Sequence, residues 1–101
     1  MMEVMELTRE AFEQEIKELT EQGKKFNVES EDSYGLYISM FDCEIHFGED
    51  MDDEIKVHKP NTLMEINFYY EYIESITKDE NGTYHFEFTL GMADVLIEVA
   101  E

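Results

Sequence analysis

The chain is poor in the residues that carry most recognisable chemistry. Its 101 residues include one cysteine, one proline, no tryptophan and only 7 lysines and arginines. The lone Cys43 has no partner for an internal disulfide, which points to a reducing, cytoplasmic setting. No apolar run approaches the ~18 residues of a membrane span, so no membrane association is expected. The first six residues are acidic and lack a basic stretch, so no secretory signal is expected. The shortage of bases matters most. Against 26 aspartates and glutamates it leaves a net charge of -19 at pH 7. Direct binding to nucleic acid is excluded, because phosphates are repelled rather than neutralised.

What is present suffices for a fold. Hydrophobic residues make up 43% of the chain and aromatics 13%. The length predicts a single domain over 1–101. Thr8 reads as a helix N-cap, with Leu7 and Phe12 placed to form a hydrophobic staple. Phe12, Ile16 and Leu19 then share one helical face, joined by Met5 if the helix begins earlier, and Gly23 is the stop signal. The spacing predicts a helix over 8–22. Strands and turns follow over 26–100. Phe26 to Val28 reads as a short strand and Glu29 to Ser33 as an acidic connector. Leu36, Ile38 and Met40 alternate in one phase, and Phe41, Cys43, Ile45 and Phe47 in the opposite one. That change of phase predicts a bulge or tight turn near Asp42. Ile55 and Val57, then Met64, Ile66 and Phe68, mark two further strands, with Lys59-Pro60-Asn61-Thr62 as the turn between them. Asn81-Gly82 predicts a hairpin, since both residues can take positive φ. Gly91 opens another turn before a last strand through Val95, Ile97 and Val99. The expected class is α+β, with an N-terminal helix packed on a mostly antiparallel β-meander.

The placement of negative charge bears on function. Glu6, Glu10, Glu13 and Glu21 recur at helical spacing, interrupted by Lys17. Glu49, Asp50, Asp52, Asp53 and Glu54 form a second cluster, and Glu29, Glu31 and Asp32 a third. Glu65, Glu71, Glu74 and Glu87 are scattered along strands. The plain reading of any one cluster is a solvated face kept for solubility. Taken together, the acids outnumber the bases too heavily for internal pairing, so self-repulsion destabilises the compact state. A basic partner is the most direct compensation. Carboxylates on alternate strand residues stand about 6.5–7 Å apart, and those one helical turn apart about 6 Å. These separations are of the order of those between phosphates along a nucleic-acid strand. A groove built for phosphates can therefore accept a row of carboxylates. Tyr34, Tyr37 and Tyr69 are candidate anchors within the charged field, and equally candidate core or sheet residues.

In size and charge the whole chain resembles the small acidic inhibitors encoded by phages and mobile elements: DNA mimics, anti-restriction proteins and anti-CRISPR proteins. It is similar in kind to the acidic immunity proteins that neutralise basic nuclease toxins. No motif carries the likeness residue by residue. It implies a stoichiometric inhibitor without cofactor, acting in the host cytoplasm if phage-encoded, on a basic nucleic-acid-binding protein such as a CRISPR effector or another nuclease. The partner-binding candidates are Glu49, Asp50, Asp52, Asp53 and Glu54, then Glu6, Glu10 and Glu13, with Glu29, Glu31 and Asp32. The alternatives are an immunity protein and a structural or regulatory module. An edge strand leaves room for a homodimer.

Catalysis and metals find little support. Asp50, Asp52 and Glu54 alternate as at the start of an EF-hand, but Ile55 stands where the glycine is required, leaving at most a weak cation site in 49–54. Cys43 and His46 fall on opposite faces of one strand. His46, His58 and His85 read as separate surface residues, and Cys43 as a small buried thiol. There is no phosphate-binding glycine loop and no nucleophile motif, so no enzyme is expected.

Overall fold

The structure, a computed structural model, describes residues 4–48 and 53–100. In chain order its elements are β1 (Val4–Leu7), α1 (Arg9–Glu21), β2 (Phe26–Asp32), β3 (Tyr37–Phe47), β4 (Glu54–His58) and β5 (Glu65–Tyr69), then a short 3-10 turn (Tyr70–Tyr72), β6 (Ile73–Asp79), β7 (Tyr84–Phe88), a second such turn (Thr89–Gly91) and β8 (Ala93–Val99). The α+β expectation holds. Helix α1 begins at Thr8, whose Oγ1 accepts from Ala11 N (3.1 Å), and ends before Gly23 at φ 82°.

The eight strands are antiparallel and ordered β1-β6-β7-β8-β2-β3-β4-β5. Two meanders, β2 to β5 and β6 to β8, are thus joined where β8 pairs with β2. The corner is inside β3. Its first half pairs with β2 and its second half, Glu44 to Phe47, with β4. Between them Asp42 sits at φ 56° and the β2 register shifts, so the anticipated bulge is present. Asn27 stabilises it by accepting from Asp42 N at its Oδ1 (3.1 Å). The corner rolls the sheet on itself. Phe68 of β5, the last strand in the order, lies edge-on to Phe86 and Phe88 of β7 with ring centroids 6.2 and 6.1 Å apart.

Helix α1 closes the open side of this roll. Phe12 is fully buried and makes edge contacts with Phe47, Tyr84 and Phe86. Ile16 is buried beside it, with Leu19 partly so. Polar ties fasten the helix to the strands. Tyr70 Oη donates to Glu13 (2.8 Å), and Tyr84 Oη and Lys78 Nζ both donate to Glu15 (2.8 and 2.7 Å). Burial raises the Tyr84 and Tyr70 hydroxyls above their usual range, and the neighbouring carboxylates raise them further. For Glu15, burial pushes the carboxyl up, but Lys78 and Tyr84 outweigh it and leave the group below its ordinary value.

Several expectations are corrected. Met5 and Glu6 do not extend the helix; they belong to β1, where Met5 pairs with Lys78 and Glu6 with Thr77. Glu29 to Asp32 is not a connector but the second half of β2. Glu29 and Glu31 alternate with inward-facing Val28 and Ser30, and an open sheet face tolerates them. The hairpin expected at Asn81-Gly82 is present between β6 and β7, but only the glycine has positive φ. Asp79 Oδ1 accepts from Asn81 N and Thr83 N (2.9 and 3.0 Å), which lengthens the loop beyond a two-residue turn. The two-residue geometry falls instead at Leu90 (φ 56°) and Gly91 (φ 63°), closed by Met92 N donating to Thr89 O (3.1 Å).

Candidate functional site

Strand alternation gives the broad part of the sheet an inner face against α1 and an outer face open to solvent. Buried Val28, Val95, Ile97, Tyr84, Phe86 and Ile76 define the inner side. Their sequence neighbours must point outward. The strand registers then place these neighbours in rows. Tyr37, Glu31, Asp94 and Glu87 are successive partners across β3, β2, β8 and β7. The next row runs Ser39, Glu29, Leu96, His85, Thr77, Glu6 across β3, β2, β8, β7, β6 and β1. Asn27 and Glu98 begin a third. No lysine or arginine is among these residues.

The first row is a ladder of three directly opposed carboxylates, Glu31, Asp94 and Glu87, all exposed. Directly opposed residues have Cβ atoms about 4.5–5.5 Å apart, and like charges there are destabilising. His85 Nε2 lies 3.2 Å from Asp94 Oδ1 and is the one basic side chain in the rows. Leu96 stands half-exposed at the centre, bordered by a shallow groove that also takes in Asn27, Glu29, Thr83 and Glu98. A larger open dent of about 470 Å³ adjoins it over the β3 bulge, lined in part by Phe41, Asp42 and Glu98.

Most of the paired cations are elsewhere, while Lys59 Nζ donates to Phe41 O (3.1 Å) at the β3 bulge. Arg9 binds Glu13 (3.0 Å) and Asp53, and stacks on Tyr70 at 3.8 Å. Lys25 binds Glu44 (2.6 Å), Lys56 binds Glu54 (3.3 Å) and Lys78 binds Glu15. The Lys25 ammonium holds the Glu44 carboxyl below its ordinary range. The internal ion pairs thus gather on the helix side and around β3 to β5.

This geometry redistributes the residues singled out in the sequence. Glu49, Asp50 and Asp52 lie outside the described residues. Asp53 is engaged by Arg9, and Glu54 is only 7% exposed with Lys56 beside it. Glu13 is held by Arg9 and Tyr70, so it is not a free member of a helical stripe; Glu10 remains exposed on α1. Asp32 Oδ1 is occupied by the backbone N–H groups of Tyr34 and Leu36 (both 2.9 Å). Glu6, Glu29 and Glu31 do join the outer face. Glu87, Asp94 and Glu98 join it as well, although none of them belongs to a run of acids in the sequence. Their signal was the alternation of Asp94, Leu96 and Glu98 against buried Val95 and Ile97, which acquires meaning only once β8 is known to pair with β2.

Other groups stand as follows. Tyr34, Tyr37 and Tyr69 are exposed. Cys43 is buried, and that burial, with Asp42 adding to it against Lys59, raises its thiol. His46 is exposed on the face opposite Cys43. Among the described residues no cluster of three or more metal-ligating side chains occurs, and no helix is long and apolar enough to cross a membrane. No known protein family, curated protein or solved structure matches the chain.

Proposed function

We propose that the protein is a stoichiometric inhibitor, acting in the cytoplasm without cofactor, that lays the outer sheet face into the basic nucleic-acid-binding groove of a nuclease. A CRISPR effector or another host-defence nuclease is the partner class. The supporting observation is the in-register ladder Glu31–Asp94–Glu87, set in strand rows that contain no lysine or arginine. Such a ladder costs stability when the chain is alone, because adjacent carboxylates repel at short range. Opposed arginines or lysines turn the same repulsion into attraction. The long-range field speeds encounter, and the carboxylates occupy positions otherwise taken by phosphates. No bond is made or broken, so the protein blocks by occupancy. Acids also lie on other surfaces, such as Glu10, Glu21 and Glu65, but Lys17 accompanies those on the helix.

The test uses a panel of purified nucleases that includes RNA-guided effectors and basic nuclease toxins. Cleavage is measured with the wild-type chain and with a variant carrying Glu31→Lys, Glu87→Lys and Asp94→Lys. The expected result is one-to-one inhibition of at least one RNA-guided or other defence nuclease, relieved by excess DNA and lost in the variant. Inhibition confined to a toxin nuclease would favour the immunity role. Inhibition of none, or equal inhibition by the variant, would leave the acidity to solubility.

A further inference from the structure

The outer face ends in an exposed apolar patch. The β2–β3 connection carries Tyr34 and Leu36, and the β7–β8 turn carries Leu90 and Met92. Both lie at the same end of the sheet, because Asp32 pairs with Ala93 and Ser33 N donates to Met92 O (3.0 Å). Tyr34 and Leu90 are each 96% exposed, Leu36 and Met92 less so. Neither connection is loose. Asp32 clamps the first through Tyr34 N and Leu36 N, with Gly35 at φ 86° allowing the reversal. The second holds Leu90 in the left-handed region, where glycine and asparagine are favoured. The turn itself therefore does not call for a leucine, and leucine gains nothing by standing in water.

The geometry points to these two tips as a single apolar anchor for a protein partner that presents apolar side chains interspersed with arginines or lysines. Charge complementarity selects this occupant. The row adjoining the tips is Tyr37–Glu31–Asp94–Glu87, so whatever covers Leu90 and Tyr34 must also face three carboxylates. A second copy of the chain would bring like charge to the same place, as would an anionic membrane. The arrangement matches an interface hot spot, in which a few apolar or aromatic groups supply the holding contact and the charged rim supplies register and approach. The inference rests on the acidic-face reading and adds to it a residence-time anchor outside the phosphate-like row.

The test titrates the isotope-labelled full chain with three synthetic peptides of equal length. One alternates arginine with leucine, one arginine with serine, and one leucine with serine. The arginine–leucine peptide is expected to shift the amides of residues 33–37 and 89–94. It is also expected to bind a Tyr34→Ser, Leu90→Asn double variant at least about fivefold more weakly than wild type. The arginine–serine peptide should bind both proteins alike. Asparagine tolerates the left-handed turn, and the wild-type amide shifts read the site without any substitution. The proposal is overturned if the tip amides stay still, if the double variant binds the arginine–leucine peptide equally well, or if the uncharged peptide binds as tightly. It is also overturned if the tips instead mediate self-association. Cationic peptides that bind the sheet while the tips stay silent would remove the anchor and leave the acidic-face reading intact; failure of both cationic peptides would remove both.

Discussion

Asp94 of β8 stands directly opposite Glu31 of β2 on the open face of the sheet, and on its other side directly opposite Glu87 of β7. Neighbouring strands place few other like charges so close. The relationship makes a prediction in two directions at once. Neutralising the ladder with Glu31→Gln, Glu87→Gln and Asp94→Asn should raise stability by about 0.2–1 kcal/mol per relieved pair, most at low ionic strength. The same substitutions should weaken capture of a basic partner. Chemical denaturation at low and high salt reads the first effect. A ladder that is neutral or stabilising in the free protein would remove the argument that its presence needs a partner.

The corner of the roll supplies a second prediction. Asp42 holds φ 56° in the middle of β3, a conformation that β-branched residues strongly resist. Asp42→Val should lose about 1–3 kcal/mol, whereas Asp42→Gly should be neutral or slightly stabilising. Asn27→Ala, which removes the acceptor for Asp42 N, should cost about 1 kcal/mol. Thermal melts rank the three variants.

The fold was legible where residues bury. Periodicity located α1, and the phase change between Met40 and Phe41 located the corner, because both record which side chains avoid water. It did not show that β8 pairs with β2 or that β1 exists. Those depend on contacts between distant segments whose outward residues follow no hydrophobic rule. The candidate site suffered most from this. Glu29 and Glu31 were visible as a cluster, but their alignment with Asp94 and Glu87 is a property of register. The local density of acids peaks instead at 49–54, where Asp53 and Glu54 are engaged by Arg9 and Lys56.

The helix plug gives a third prediction. Phe12 is fully buried among three aromatic rings. Phe12→Ala should cost about 3–5 kcal/mol, a large part of the total for a domain of this size. Loss of near-ultraviolet dichroism together with early thermal unfolding would show it. A fall below about 1 kcal/mol would mean that the roll stands without its helix.

Alkaline pH supplies a fourth. Burial, reinforced by Glu13 and Glu15, raises the hydroxyls of Tyr70 and Tyr84 above the ordinary value of 10.0. A group with a raised folded-state value stabilises below its unfolded value and loses that contribution as pH climbs toward the folded one. Stability should therefore decline above about pH 10, with tyrosinate absorbance from these two residues arriving together with unfolding. Tyr84→Phe should cost about 1 kcal/mol at neutral pH and flatten the alkaline decline. At the acid end the lowered Glu15 and Glu44 carboxyls work in the opposite sense: their contribution is present above the ordinary carboxyl value of 4.5 and fades as pH falls beneath it.

The most direct measurement is displacement of a fluorescent DNA duplex from a purified RNA-guided nuclease by increasing amounts of the chain, repeated from about 50 to about 200 mM salt. The account predicts one-to-one displacement that reversal of Glu31, Glu87 and Asp94 to lysine lowers by at least about tenfold. Duplex that stays bound across a panel of such nucleases at every salt concentration, or displacement unaffected by the reversal, would contradict it.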